Sequence, residues 1–259
     1  MKTLTIVKFV GVLALALGFG IALLGLTAPF GVWIGVWDFR RGFDLLRKAH
    51  DFALWFSLAA LILALVVVAV GLKQSQSGLV RLAILALIGA GVGSLTYFIP
   101  ETFRAPEGEN YPPIHDISTD TVTPPTFVAV LPLRANAANT VVYGGSEGMT
   151  PEKLAELQKQ AYPDIQPWQS NESKQVVFEK ALAAVQQLGW DLVDQNFNEG
   201  RIEATDTTLW FRFKDDVVVI VTESNGMTTV NARSVSRVGR GDVGANAKRL
   251  RKFFSLLSE

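Results

Sequence analysis

This sequence predicts an α+β fold: an antiparallel sheet with helices packed on one face, preceded by a three-helix transmembrane bundle. Three observations lead there. First, no charge occurs over residues 9–37, 52–72 or 82–100, and each stretch reaches the ~20 residues that a bilayer crossing requires. Second, beyond Gly189 short runs rich in Val, Ile, Thr and Phe alternate with turn signals such as Asn225-Gly226. Third, an amphipathic helical pattern flanks those runs on either side. The order helix, strands, helix places both helices on the same face of a sheet.

Composition sets the outer limits. The 259 residues carry 24 Lys and Arg against 24 Asp and Glu, so net charge gives no pull toward nucleic acid. With no cysteine, disulfides, thiolate zinc sites and thiol nucleophiles are all excluded. Charge is nonetheless uneven. Residues 233–252 hold seven Arg and Lys with Asp242 as the one acid, whereas acids outnumber bases over residues 101–232. A basic corner on an acidic domain fits either anionic lipid, an anionic ligand, or neutralisation by neighbouring strands.

Residues 1–100 form the membrane domain, with helices expected at 6–26, 52–72 and 79–99. Ala14 and Gly18, Ala16 and Gly20, and Gly89 and Gly93 stand four apart, a spacing that lets helices approach closely. Trp33, Trp37, Trp55 and Tyr97 suit the bilayer interface. Lys2 and Lys8 could open a signal peptide, but no small-x-small cleavage site follows, so the first helix is read as retained. The loop over residues 38–52 mixes Phe39, Phe43, Leu45 and Leu46 with four bases and is expected to lie as a short amphipathic helix on the membrane surface. Its His50 is read as an inert interfacial residue. No span has an ionisable residue at its centre, which argues against an ion or proton pathway. Three passes put the termini on opposite faces. Lys2, Lys8, Lys73 and Arg81 lie on one side, and Arg40, Arg41, Arg47, Lys48 and Arg104 on the other. That tally is nearly balanced, and the N-terminus is placed inside with the large domain outside.

Residues 101–171 read as a proline-rich extended strap, since ten of the eleven prolines fall between Pro100 and Pro167. Proline fixes φ and removes a donor, so this segment is extended or turned. It keeps Ile114, Phe127, Val128, Val130, Leu131 and Leu133, more apolar residues than a flexible linker carries. Within it Thr150 caps, and Pro151 opens, a helix over residues 151–161. His115, Asp116 and Asp120 in the PPIHDISTDT stretch match no standard metal spacing and suit turn formation.

Residues 172–259 read as the α+β core. A helix over 172–188 carries Phe178, Leu182 and Val185 on one stripe and stops at Gly189. Strands are expected at 190–195, 201–205, 209–213, 217–222 and 228–235, with turns at 198–200, 214–216 and Asn225-Gly226. The unbroken apolar run 217–221 belongs in the centre of the sheet. A last helix begins near Asp242 or Gly244. Val243, Ala247, Leu250, Phe254 and Leu257 form its apolar face, with Lys248, Arg249, Arg251 and Lys252 opposite.

The stretches NARSVSRVGRGDVGANAKRLRKFF, RIEATDTTLWFRFKDD and PPIHDISTDT resemble a bacterial family catalogued as domain of unknown function 1499, which also occurs in plants as plastid proteins. GVWDFRRGFDLLR resembles the N-terminal part of its longer members, those with transmembrane helices. A Cys-containing opening motif of shorter relatives is missing here. The resemblance implies a membrane-attached envelope protein and carries no established activity.

Among polar residues, Arg233, Arg237 and Arg240 lead into a helix N-terminus, where free amides and the helix dipole favour anions. With Ser236, Asp242 and Asn246 they make the candidate ligand-binding set; His115, Asp116 and Asp206 are secondary candidates. The structural alternative has Asp242 capping the helix, with Arg233 and Arg237 paired to Asp206, Asp215, Asp216 or Glu203. Strand alternation puts Arg233 and Arg237 on one face and Ser234 and Ser236 on the other. No residue is assigned a catalytic role, and no metal or cofactor is expected. Three functions stay open. The first is a membrane-anchored binding or scaffold module for an anionic ligand, a lipid head group or a protein partner. The others are a hydrolase-like enzyme using His115 with a Ser or Asp, and an accessory subunit of a membrane complex. The expected location is the bacterial inner membrane, multi-pass, with the large C-terminal domain periplasmic.

Overall fold

The computed structural model describes residues 2–104 and 111–258. The strap at 105–110 lies outside the described residues. The chain divides into two compact units, Met1–Arg104 and Ala105–Glu259.

The first unit is a bundle of α1 (Lys2–Trp33), α2 (Phe39–Lys73) and α3 (Ser77–Glu101), all long and apolar enough to cross a membrane. Lipid gives helices no hydrophobic reason to associate, so close packing of small residues does the work. A Cβ added to Gly18 would stand 2.4 Å from the Gly89 carbonyl carbon, and one added to Gly93 would stand 2.6 Å from the Gly18 oxygen. α1 and α3 therefore meet backbone to backbone, and the sites are glycines because any side chain would wedge them apart.

The surface helix expected over residues 38–52 is not a separate element. It is the opening of α2, which runs on without a break. Asp38 caps it by accepting from the Arg41 N–H at 2.9 Å. The helix continues through Ala49, His50 and Ala53, which are all buried. His50 is not a lone interfacial residue either. Its Nε2 meets Glu101 Oε1 at 2.6 Å and its ring stacks on Tyr97, tying α2 to the end of α3.

The second unit is a six-stranded antiparallel sheet. Its strands are β1 (Asp116–Ser118), β2 (Trp168–Ser170), β3 (Asp191–Asn196), β4 (Arg201–Thr207), β5 (Lys214–Ser224) and β6 (Met227–Ser236). The order is β1-β6-β5-β4-β3, with β2 also paired to β6. The apolar run in β5 is central, as expected. Asn225 and Gly226 both adopt positive φ, the condition for a two-residue hairpin turn, and join β5 to β6. β1 and β2 come from the strap and pair successive stretches of β6, closing what would be a bare edge.

One expected strand is absent. Residues 209–213 form the β4–β5 loop, and residues 214–216, expected as a turn, open β5 instead. The ladder explains the exchange: pairing continues through Thr205↔Asp216 to Thr207↔Lys214, so the chain reverses later than its composition implies. Thr208 and Phe213 close the loop through two hydrogen bonds, backbone and hydroxyl, of 2.8 and 2.9 Å.

Helices α4 (Pro151–Ala161), α5 (Lys174–Gln187) and α6 (Ala245–Leu257) complete the unit. Val177, Ala181 and Val185 of α5 join Leu250, Phe253 and Leu257 of α6 over Ile202, Ala204, Val217, Val219, Val221, Val230 and Ala232. Each large apolar side chain in this layer contributes about 1.5–3 kcal/mol by leaving water. The apolar face of α6 differs from the expected one by rotation: Phe253 is fully buried in place of Phe254, and Val243 is exposed. The second face of the sheet is covered by the strap, through Phe127 and Val130 on Val218 and Val235.

Candidate functional site

Alternation along β6, continued to Arg237 by its amide's bond to Lys214 O, sends the polar residues two ways, and the two sets meet different partners. Arg233 and Arg237 point to the strap face. Ser234 and Ser236 point to the helix face.

On the strap face Arg233 is almost completely buried. It makes a forked pair with Asp116 at 2.8 and 2.7 Å and donates to the carbonyls of Pro125 and Val141. Its guanidinium also lies over the rings of Phe127 and Tyr143. Burial pushes the Tyr143 hydroxyl well above its usual range, with Asp116 adding to the rise and Arg233 opposing it. Arg237 forks onto Asp216 at 2.9 and 2.8 Å and donates to Leu133 O. Asp216 has no exposed surface and also accepts from Arg134 and Thr205. Burial alone would raise this carboxyl. The hydrogen bonds from Arg237, Thr205 and Arg134 outweigh it and hold the group below the usual range. Further along the same face buried Glu203 accepts from the Val128 and Val130 amides at 2.8 and 2.9 Å and pairs with Arg201. Each of these carboxylates fastens the strap to the sheet.

On the helix face Asn246 sits at the centre. It accepts from Ser234 and donates to Ser236 Oγ and to the His115 carbonyl. Arg249 is buried beside it and bridges Asp206 at 2.8 Å and Asp215 at 2.6 Å. Arg249 is thus not on the solvent side of α6. Asp206 and Asp215, named as partners for Arg233 and Arg237, belong to it. Asp242 accepts from the amides of Gly244 and Asn246 at 2.9 and 2.8 Å, and so occupies the N-terminus of α6 with its own carboxylate. Burial raises the Asp242 carboxyl, only partly offset by those amides.

The candidate set is therefore split. Ser236, Asn246 and Asp242 come together on the helix face, joined there by Asp206 through Arg249. Arg233, Asp116 and Arg237 lie on the strap face. Arg240 is exposed, and among the described residues its side chain has no ion-pair partner. His115 faces neither serine of β6. Its Nδ1 meets the Arg240 carbonyl at 3.2 Å and its Nε2 meets Ser146 Oγ at 3.4 Å. Among the described residues no three His, Asp or Glu side chains gather as a metal site would need.

Sequence reasoning missed Arg134, Arg249 and Ser146. Arg134 lies in a surface-like LPLR turn, and only tertiary packing buries it. Arg249 follows the helical period of Asn246 and Phe253, a signal masked by its basic neighbours. Ser146 stands within Gly144-Gly145-Ser146-Glu147-Gly148, a spelling that could have flagged it.

The fold and this site together define an α+β unit braced by buried ion pairs, in a chain that also holds three helices long and apolar enough to span a membrane. The chain belongs to the family described as Protein of unknown function (DUF1499), whose sequence model matches residues 116–257. No similar protein was found among curated sequences.

Proposed function

We propose that this chain is a membrane-anchored module of the bacterial envelope that acts by holding a protein partner. Its bundle sits in the inner membrane, its N-terminus is cytoplasmic and its large unit is periplasmic. One observation carries the binding reading. Val122, Val128, Leu131, Leu133 and Val142 of the strap are all exposed, Val122 at 88% and Val142 at 65%. The strap already covers the sheet with Phe127 and Val130, and none of these outward residues belongs to that buried cluster. Exposed apolar side chains gathered into a patch are what a partner surface uses.

An anionic ligand or lipid head group is the weaker form of this reading. The guanidinium groups of Arg233 and Arg237 are held by carboxylates, and Asp242 fills the helix N-terminus, which leaves exposed Arg240 as the available cation of the set.

Native mass spectrometry of the full chain in mild detergent tests the choice. The expected result is a protein bound at fixed stoichiometry to the wild type and lost from Val128→Asp/Leu133→Asp, whose large unit keeps its amide protection. A partner retained by the membrane bundle alone would instead make the chain an accessory subunit. An anionic phospholipid lost on Arg240→Ala would favour the head-group form. Protease added to spheroplasts should digest the large unit; its full protection would reverse the sidedness.

A further inference from the structure

We propose that Ser146 and His115 form a nucleophile–base pair that cleaves carboxylic esters. This goes beyond the anchoring and binding reading and stands on separate residues.

His115 is 7% exposed, and its backbone is clamped, since its carbonyl accepts from Ser236 N at 3.0 Å and from Asn246 Nδ2 at 3.0 Å. A carbonyl oxygen can only accept, so the 3.2 Å contact with Arg240 O requires the proton on Nδ1. Nε2 then carries the lone pair, and it is Nε2 that faces Ser146 Oγ at 3.4 Å. The tautomer needed for a general base is fixed by the fold, with a backbone carbonyl in the orienting role.

The serine is held as well. Met149 N donates to Ser146 O, Gly145 N donates to Val142 O, and Lys153 Nζ donates to Gly148 O. Gly144 adopts φ +67° with its α-carbon against the start of α4, where a Cβ would come within 2.2 Å of Pro151 N. Ser146 therefore sits on a fixed turn, half-buried, while Gly148 has open space where its Cβ would be. The Gly-x-Ser-x-Gly spelling is present without the strand-to-helix setting it has in α/β hydrolases. The Oγ–Nε2 distance is longer than a working hydrogen bond, as catalytic contacts in unliganded sites often are, and bound ester would draw the two together.

In the first step Ser146 Oγ attacks the ester carbonyl carbon while its proton passes to His115 Nε2. The C–O bond to the alcohol breaks, and His115 returns the proton to the departing oxygen. Water then attacks the acyl-serine and gives its proton to Nε2, which passes it to Oγ. The products are one alcohol and one carboxylic acid, and the serine is restored.

Reaction of the full chain in detergent with a fluorophosphonate, followed by peptide mass mapping, tests the pair. The expected adduct is on Ser146 and forms at least tenfold more slowly in His115→Gln. A chain unmodified at Ser146, or modified at the same rate in folded His115→Gln, overturns the proposal. Should His115→Gln fail to fold, the absence of native cysteine supplies a second reading. The thiol of Ser146→Cys should react with iodoacetamide at least tenfold faster than that of Ser255→Cys, an exposed position of α6, and equal rates overturn the proposal. Neither result bears on the strap surface, whose test uses different residues.

Discussion

Asp216→Asn should destabilise the large unit by about 3–5 kcal/mol, the usual consequence of removing one partner from a buried ion pair. The carboxylate has no exposed surface and serves two guanidinium groups, those of Arg134 and Arg237, as well as the Thr205 hydroxyl. Neutralising it leaves Arg134, itself buried, with carbonyls alone. Hydrogen exchange of β5 and β6 amides, read by mass spectrometry on the full chain, measures the loss. The pH dependence has a definite sign. The folded-state pKa lies below the ordinary 3.8, so the ionised group contributes its full stability above that value. As pH falls below 3.8 the unfolded chain takes up a proton first, and the contribution drains away through the folded-state pKa. Asp242, raised by burial, contributes with the opposite sign, so the difference between variant and wild type isolates Asp216. Wild type should lose stability faster than Asp216→Asn in acid, by up to one proton, or about 1.4 kcal/mol per pH unit. Parallel acid slopes would show that this carboxylate is not held ionised by its partners.

Arg249→Ala should cost a similar amount, whereas Lys248→Ala, one residue earlier, should stay within about 0.5 kcal/mol of wild type. The two side chains are consecutive and both basic, yet Arg249 is 6% exposed and bridges Asp206 and Asp215, while Lys248 is exposed. Truncating Arg249 strands Asp215, which is also buried, and removes a donor to Ser234. Thermal denaturation of the two variants side by side, with amide exchange in β4 and α6 to localise the change, checks the contrast. Equal effects would place Arg249 at the surface and reverse the account of the helix face.

These two residues mark where the sequence is legible and where it is not. The hairpin at Asn225-Gly226 needs positive φ at both positions, a demand that the dipeptide states locally. The central place of β5 follows from an apolar run that only a strand covered on both faces accommodates. The α+β class and the apolar helices were readable for the same reason, since period and hydropathy are local properties. Ion-pair partners are not. Asp116 and Arg233 are 117 residues apart, and nothing along the chain tells Arg233 to choose Asp116 over Asp216. Arg249 shows the same limit from the other side: four bases close together look like a solvated stripe until two acids arrive from β4 and β5. The strand expected at 209–213 is absent, although Trp210, Phe211 and Phe213 carry strong β propensity, because the ladder already closes at Thr207↔Lys214. Ser146 was hidden by lying 31 residues from the histidine it meets.

Arg233 of β6 and Arg237 just beyond it act as internal braces, each forked onto a buried carboxylate. A double-mutant cycle on Arg237 and Asp216 tests that role most directly, with Arg237→Ala, Asp216→Ala and the pair measured by amide exchange in β5. A coupling energy of at least about 1 kcal/mol is expected, because both arms of the Arg237 fork end on Asp216. Independent, additive effects would contradict it and return Arg237 to the pool of side chains free to meet a ligand.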